Sequence, residues 1–169
     1  LYALYTEGGI YLDSDVKTFK SFDSFLYNDF FIGTEPLPNN CVELESAIMG
    51  AIKGHPYVKE CLDYYRQINF RKENGEIFAT CPIIMTSIAE KYGYVAKDEN
   101  QLLETNIQVY SRKYFGHLWG TNPGQLYAIH YFNASWLESK HGWLYRYCKQ
   151  NDFMRFYFIL KKSLMKFKK

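Results

Sequence analysis

Gly8-Gly9-Ile10-Tyr11-Leu12-Asp13-Ser14-Asp15 sets two carboxylates at the end of a short apolar run, directly behind a glycine pair. If Ile10 to Leu12 form a strand, side chains alternate between faces, so Asp13 and Asp15 at i and i+2 point the same way. Two like charges held together are costly unless a cation lies between them, and an all-oxygen pair suits a hard ion such as Mg²⁺ or Mn²⁺. Gly8 and Gly9 allow a backbone path, or a close ligand approach, that a β-carbon would block.

Working outward, Leu1 to Thr6 reads as the end of a helix that Gly8 stops, which makes the dyad part of a helix-to-strand junction. Val16 to Phe22 alternates as a second extended piece, and Phe30-Phe31-Ile32-Gly33 reads as another strand. Pro36, Pro38, Asn39 and Asn40 mark a loop. Glu43 to Lys53 fits either helix or strand. Pro56 opens a helix with Val58, Cys61, Leu62, Tyr65 and Ile68 at helical spacing, and Pro82 opens another that Gly93 ends. Ile107 to Tyr110 and Leu126 to Tyr131 read as strands. The order is mixed α/β.

At 169 residues the chain is long enough for one domain with a substantial core. Its 47% hydrophobic and 22% charged content is ordinary, whereas 19% aromatic, with 16 Tyr and 13 Phe, is high. The aromatic surplus suits either a saccharide-stacking surface or, more simply, core and rim packing. The net charge of +2 divides unevenly: residues 143–169 hold eight Lys or Arg against Asp152, while residues 1–142 carry 12 basic and 17 acidic side chains. An acidic body predicts binding of a cation or neutral sugars, and a basic tail predicts an anionic surface. In that tail, Leu144, Tyr147, Phe153, Phe156, Tyr157, Leu160, Leu164 and Phe167 fall mostly three or four apart. The pattern is that of a basic amphipathic helix, lying either in a membrane interface or against the domain.

Cys41, Cys61, Cys81 and Cys148 include no C-x-x-C pair and no Cys/His spacing typical of zinc, which points to a reducing compartment. No apolar stretch reaches the ~20 residues that a spanning helix needs. No nucleic-acid-binding module is recognisable. Leu1 opens inside an amphipathic segment, so the expectation is a piece of a longer protein.

Leu1 to Val16, with the dyad at its end, resembles the DXD region of glycosyltransferase family 32, which includes capsular polysaccharide enzymes and yeast mannosyltransferases. Three further segments match in order. Ile48 to Pro56 resembles a segment ending in G-H-P before a helix. Cys81-Pro82-Ile83-Ile84-Met85-Thr86 resembles one that usually opens Gly-Pro, so Cys81 departs from it. Tyr127-Ala128-Ile129-His130, followed by Ser135-Trp136, resembles a His-bearing strand end with Ser-Trp after it.

The resemblance implies a GT-A-like α/β fold and retaining transfer of a hexose from a UDP- or GDP-sugar to a glycan or lipid-linked glycan acceptor. It places the work in capsular or cell-surface polysaccharide synthesis on the cytoplasmic side; the basic tail adds an expectation of peripheral membrane contact through 143–169, and the lack of a recognisable module that of no nucleic acid. It makes 1–142 the catalytic region, lacking an N-terminal nucleotide-binding part, and leaves the activity of such a fragment weak or absent. Asp13 and Asp15 are the catalytic and metal-binding candidates, with Mn²⁺ or Mg²⁺ as cofactor. Asp15 would be the direct ligand, and Asp13 would contact the ribose or a metal-bound water. His130 completes the metal site or holds a phosphate, its bland alternative being a strand-end histidine bonded to backbone. Gly8, Gly9, Ser135 and Trp136 are assigned to the donor, although Trp136 suits a core position equally. Glu45 and Ser46, read as a loop, are assigned to sugar or acceptor contacts. His55, His117 and His141 are read as structural or surface residues.

Two other classes compete. An aspartate-based phosphohydrolase would use Asp13 as nucleophile, but Lys17 stands where such a motif has Thr or Val, and no G-D-x-x-x-D follows. A non-catalytic glycan-binding or scaffold role would need no metal.

Overall fold

A computed structural model describes residues 1–37, 41–68, 79–115, 124–131 and 143–150. Helix α1 (Tyr2–Glu7) ends at Gly8, and strand β1 (Gly9–Leu12) follows. Next come β2 (Val16–Thr18), a 3₁₀ turn at Asp23–Phe25, β3 (Phe30–Pro36) and β4 (Val42–Ala51). Pro56 and Cys81-Pro82 start α2 (Pro56–Gln67) and α3 (Cys81–Ala89), where a missing N–H costs nothing. A 3₁₀ turn extends α3 to Tyr92, and Gly93 closes it in the left-handed region at φ 93°. Then follow β5 (Gln101–Leu103), β6 (Ile107–Tyr110), the short α4 (Arg112–Phe115) and β7 (Ala128–His130). The other expected elements agree with these apart from small shifts at the ends, and the ambiguous Glu43–Lys53 segment is mostly strand; the extended piece expected over Val16–Phe22 is strand only to Thr18, and β5 and α4 were not expected.

The main sheet has the order β1-β4-β3-β6-β5, with only β3 and β6 parallel. A separate ribbon pairs β2 with β7. The fold is therefore mixed α/β, with a mixed sheet flanked by helices. On one face, Phe30, Ile32, Leu44, Met49, Ile107 and Val109 pack against Leu4 of α1, Tyr57, Val58 and Cys61 of α2, and Ile84, Met85 and Ile88 of α3. The Tyr57 hydroxyl, fully buried, donates to the Met85 carbonyl at 2.8 Å and ties α2 to α3.

The opposite face carries an aromatic layer. Phe25 lies 4.9 Å from the rings of Tyr110 and Phe115 and 4.6 Å from Tyr127, and Phe22 stacks on Phe115 at 5.8 Å. Such pairs add roughly 0.5–1.5 kcal/mol each beyond burial. Much of the aromatic surplus is thus packing, and Tyr127, the residue that precedes β7, ties that strand to the layer. Gly50 is required here, because a β-carbon on it would sit 2.1 Å from the Phe31 ring.

The chain divides into residues 1–131 and 132–169. In the second unit the described residues form one helix, α5 (Trp143–Gln150), in agreement with the amphipathic reading of its start. The tail beyond it, and the expected boundary at 142/143, lie at or outside the edge of the described residues. Among the described residues no helix is long and apolar enough to cross a membrane, and all four cysteines are free thiols.

Candidate metal centre

Strand β1 stops at Leu12, and the two carboxylates converge through a turn rather than through strand alternation. Val16 N–H donates to the Asp13 carbonyl at 3.1 Å, closing a four-residue turn over Ser14 and Asp15. The correction has a local cause. β1 pairs with β4 only as far as Leu12 opposite Ile48, and the chain must then reverse to enter β2.

β4 bends at the same place. Its register against β3 runs Phe30 to Ala51, Phe31 to Gly50 and Ile32 to Met49, then jumps to Gly33 opposite Glu45. Ser46, Ala47 and Ile48 are therefore an insertion in β4, a bulge of the kind that re-aims side chains beside functional sites. The freed Ala47 backbone works in both directions: its carbonyl accepts from Asp13 N–H at 2.9 Å, and its N–H donates to Glu45 Oε1 at 2.9 Å. Glu45 and Ser46 thus belong to a strand, not to a loop, and Glu45 is only 4% exposed.

The β2–β7 ribbon brings in the distant histidine. Val16 stands opposite His130, and Tyr131 N–H donates to the Asp15 carbonyl at 3.0 Å. His130 Nε2 lies 3.2 Å from Asp15 Oδ1 and 3.8 Å from Asp13 Oδ2, while Nδ1 lies 3.3 Å from Glu45 Oε1. One ligand atom from each of Asp13, Asp15 and His130 falls within 4.8 Å of the others. Two carboxylate oxygens and an imidazole nitrogen form a donor set that fits Mn²⁺ or Mg²⁺, with nitrogen favouring Mn²⁺.

The electrostatics follow from this crowding. Burial by itself would lower the pKa of His130, but the hydrogen bond and charge of Glu45, with Asp15 and Asp13 behind them, raise it above its ordinary value. Tyr11 donates its hydroxyl to Asp13 Oδ1, and this bond, with burial and the Asp13 charge, pushes the Tyr11 pKa up to about 12. The phenol therefore stays a donor throughout the physiological range. On the same face as Glu45, Glu35 stands opposite Glu43. Burial, then the Glu45 charge, raises Glu35 to about 7, the His130 imidazole opposing and Glu43 adding to the shift.

The other candidates fall elsewhere. Gly8, which ends α1, and Gly9, which opens β1, lie beside an open cleft of about 290 Å³ whose walls include Phe31, Gly50 and Lys53; neither aspartate is part of it. The space where a Gly8 β-carbon would lie is taken by backbone of Ala51 to Lys53. His55 is buried at the start of α2 with Nε2 3.1 Å from the Thr105 carbonyl, in agreement with a structural role. Ser135, Trp136, His117 and His141 lie outside the described residues.

Tyr11 as the hydrogen-bond donor to Asp13, and Glu45 as the neighbour of His130, were not legible as such in the sequence. The available signal was Glu43-x-Glu45, two acidic residues at strand spacing inside an apolar run. No protein-family model, curated protein or solved structure matches the chain.

Proposed function

We propose that this chain carries the metal and sugar end of a retaining, GT-A-like glycosyltransferase, moving a hexose from a UDP- or GDP-sugar to a glycan or lipid-linked glycan. The observation that carries this reading is the meeting of Asp13 and Asp15 with His130, from opposite ends of the first unit, within 4.8 Å. It is supported by the resemblance of the segments around these residues to glycosyltransferase family 32. Two of those segments, at β1 and at the end of β4, are also paired strands.

Asp13, Asp15 and His130 would hold the divalent ion, which when bound offsets the negative charge that grows on a diphosphate leaving group. Tyr11 and Ala47 hold Asp13 in place, the Tyr11 hydroxyl donating to its carboxylate and the Ala47 carbonyl accepting from its backbone N–H. The β2–β7 ribbon holds Asp15 and His130 in register. In the transfer, the acceptor oxygen bonds to the anomeric carbon as the bond to the diphosphate breaks, and the acceptor proton passes to the leaving phosphate. Trapping a covalent glycosyl-enzyme would overturn that step. Capsular or cell-surface polysaccharide synthesis, and contact of the basic tail with the inner membrane face, belong to the same proposal.

The test, on the full-length protein, is release of nucleoside diphosphate from a panel of nucleotide-sugars, with thermal shifts recorded in parallel, with and without Mn²⁺. Release that needs Mn²⁺ and is lost in Asp15→Asn is expected. Absence of any metal-dependent shift with any donor rejects the reading. Turnover of a generic phosphate ester that disappears in Asp13→Asn would point to a phosphohydrolase instead.

A further inference from the structure

Glu45 faces the ring edge of His130 that points away from the aspartates. Both of its oxygens lie near Nδ1, at 3.3 Å and 3.4 Å, and Oε1 is also tied to Ala47 N–H at 2.9 Å. The bulge in β4 therefore prevents the carboxylate from turning away from the ring. We propose that Glu45 is the positioning residue of the metal centre: it accepts a hydrogen bond from Nδ1–H of His130, holding the proton on that nitrogen and so leaving the Nε2 lone pair directed towards Asp13 and Asp15. The proposal rests on the metal-binding reading of those aspartates.

The chemistry is a competition for one proton. An ionised carboxylate only accepts hydrogen bonds, and a neutral imidazole has a single N–H to give. Three carboxylates surround His130. Glu45 is 4% exposed, whereas the Asp13 and Asp15 side chains are 37% and 13% exposed and lie more open to water. A buried acceptor left without a donor costs more than an exposed one, so the N–H goes to Glu45. Nε2 is then an acceptor 3.2 Å from Asp15 Oδ1, another acceptor. A cation placed there would take lone pairs from both atoms. A carboxylate on the outer nitrogen of a metal-binding histidine also raises its basicity as a ligand.

The tautomer can be read without metal, from long-range ¹H–¹⁵N correlation spectra recorded at alkaline pH once the ring has lost its second proton. The His130 signal is assigned by its loss in His130→Gln. Wild-type protein is expected to show the Nδ1–H form. In Glu45→Gln, Ala47 N–H still needs the amide oxygen, so the NH₂ group turns to Nδ1 and the ring moves to Nε2–H. Mn²⁺ affinity, measured by calorimetry, then falls by about tenfold to a hundredfold. Glu45→Asp keeps the tautomer with a smaller loss. An Nε2–H signal in wild type overturns the proposal, as does a folded Glu45→Gln with tautomer and Mn²⁺ affinity unchanged. If Glu45→Gln fails to fold, the wild-type tautomer and Glu45→Asp decide. A tautomer that flips in a protein that never binds Mn²⁺ supports the role of Glu45 and rejects the metal reading.

Discussion

Replacing Gly8 with alanine should cost at least about twice as much as the same change at Gly9, and the structure supplies both terms. Gly8 has φ 72° and ψ −166°, a region open essentially to glycine alone, and an alanine held there stores ~1–3 kcal/mol. Its β-carbon would also lie 2.8 Å from Lys53 N and 3.0 Å from Ala51 O. Both are backbone atoms. Neither can retreat without disturbing the Gly9–Ala51 pairing or the bond from Gly54 N–H to the Tyr5 carbonyl. Overpacking of this kind adds roughly 1–3 kcal/mol, for a total of about 4 kcal/mol. Gly9 also has positive φ, 102°, but nothing lies within 4 Å of its β-carbon position, so only the conformational cost of ~1–2 kcal/mol remains.

At about 2–4 °C per kcal/mol for a chain of this size, Gly8→Ala should lower Tm by about 8–16 °C and Gly9→Ala by no more than about half of that. Urea titration gives the check on ΔΔG, provided that the slope of the transition is unchanged. Equal losses at the two positions would refute the close-approach argument. A Gly8→Ala protein of normal stability that has lost only nucleotide-sugar affinity would show that the missing β-carbon makes room for a ligand instead.

Three other outcomes are expected. Asp98→Ala should destabilise by about 2–3 kcal/mol in urea titration, because one carboxylate accepts from Thr34 Oγ1 at 2.7 Å and Arg112 N–H at 2.8 Å while pairing with the Arg112 guanidinium at 2.9 Å. Glu35→Gln should stabilise the protein at pH 8 and change little at pH 4: a folded value of about 7 against an ordinary 4.5 means that the folded state binds the extra proton, so stability falls as pH rises between them, and a variant with an unchanged pH slope would contradict this. In EDTA-treated protein, the raised pKa of His130 contributes stability that is fully present below 6.5 and is lost as pH rises through the elevated folded value; His130→Gln should abolish that loss, and Mn²⁺ affinity in wild type should weaken as pH falls through the same range.

The features that sequence made legible are those that local chemistry decides. Gly8 stops α1, Pro56 starts α2 and Gly93 closes the turn after α3, each because one residue's backbone preference is enough. β5 was missed: it is three residues long, and its pairing with β6 is reached through Thr105 and Asn106, non-glycine residues at φ 55° and 56° that no turn signal announces. The dyad was found for a geometric reason that the structure replaces, since the turn at Asp13–Val16, not alternation, brings the carboxylates together. His130 was found through a resemblance, because its place beside Asp15 depends on β2 pairing with β7, which no local pattern encodes.

Glu45 separates the local from the non-local most sharply. Val42 to Ala51 is apolar enough to satisfy either helical or strand periodicity, and its pairing with β1 on one side and β3 on the other decides for strand. That decision changes what Glu45 means. In a loop it is a solvated carboxylate available to a sugar, and needs no partner. In a central strand it is a buried charge that must be partnered or be lost to selection, so the strand assignment alone obliges the fold to supply a donor. The bulge at Ser46 to Ile48 supplies one in Ala47 N–H, and β7 supplies His130 alongside it. Secondary structure at this one segment therefore carries the functional reading with it: once β4 is a strand, an imidazole held between a buried carboxylate and a half-buried acidic turn becomes the feature to be explained.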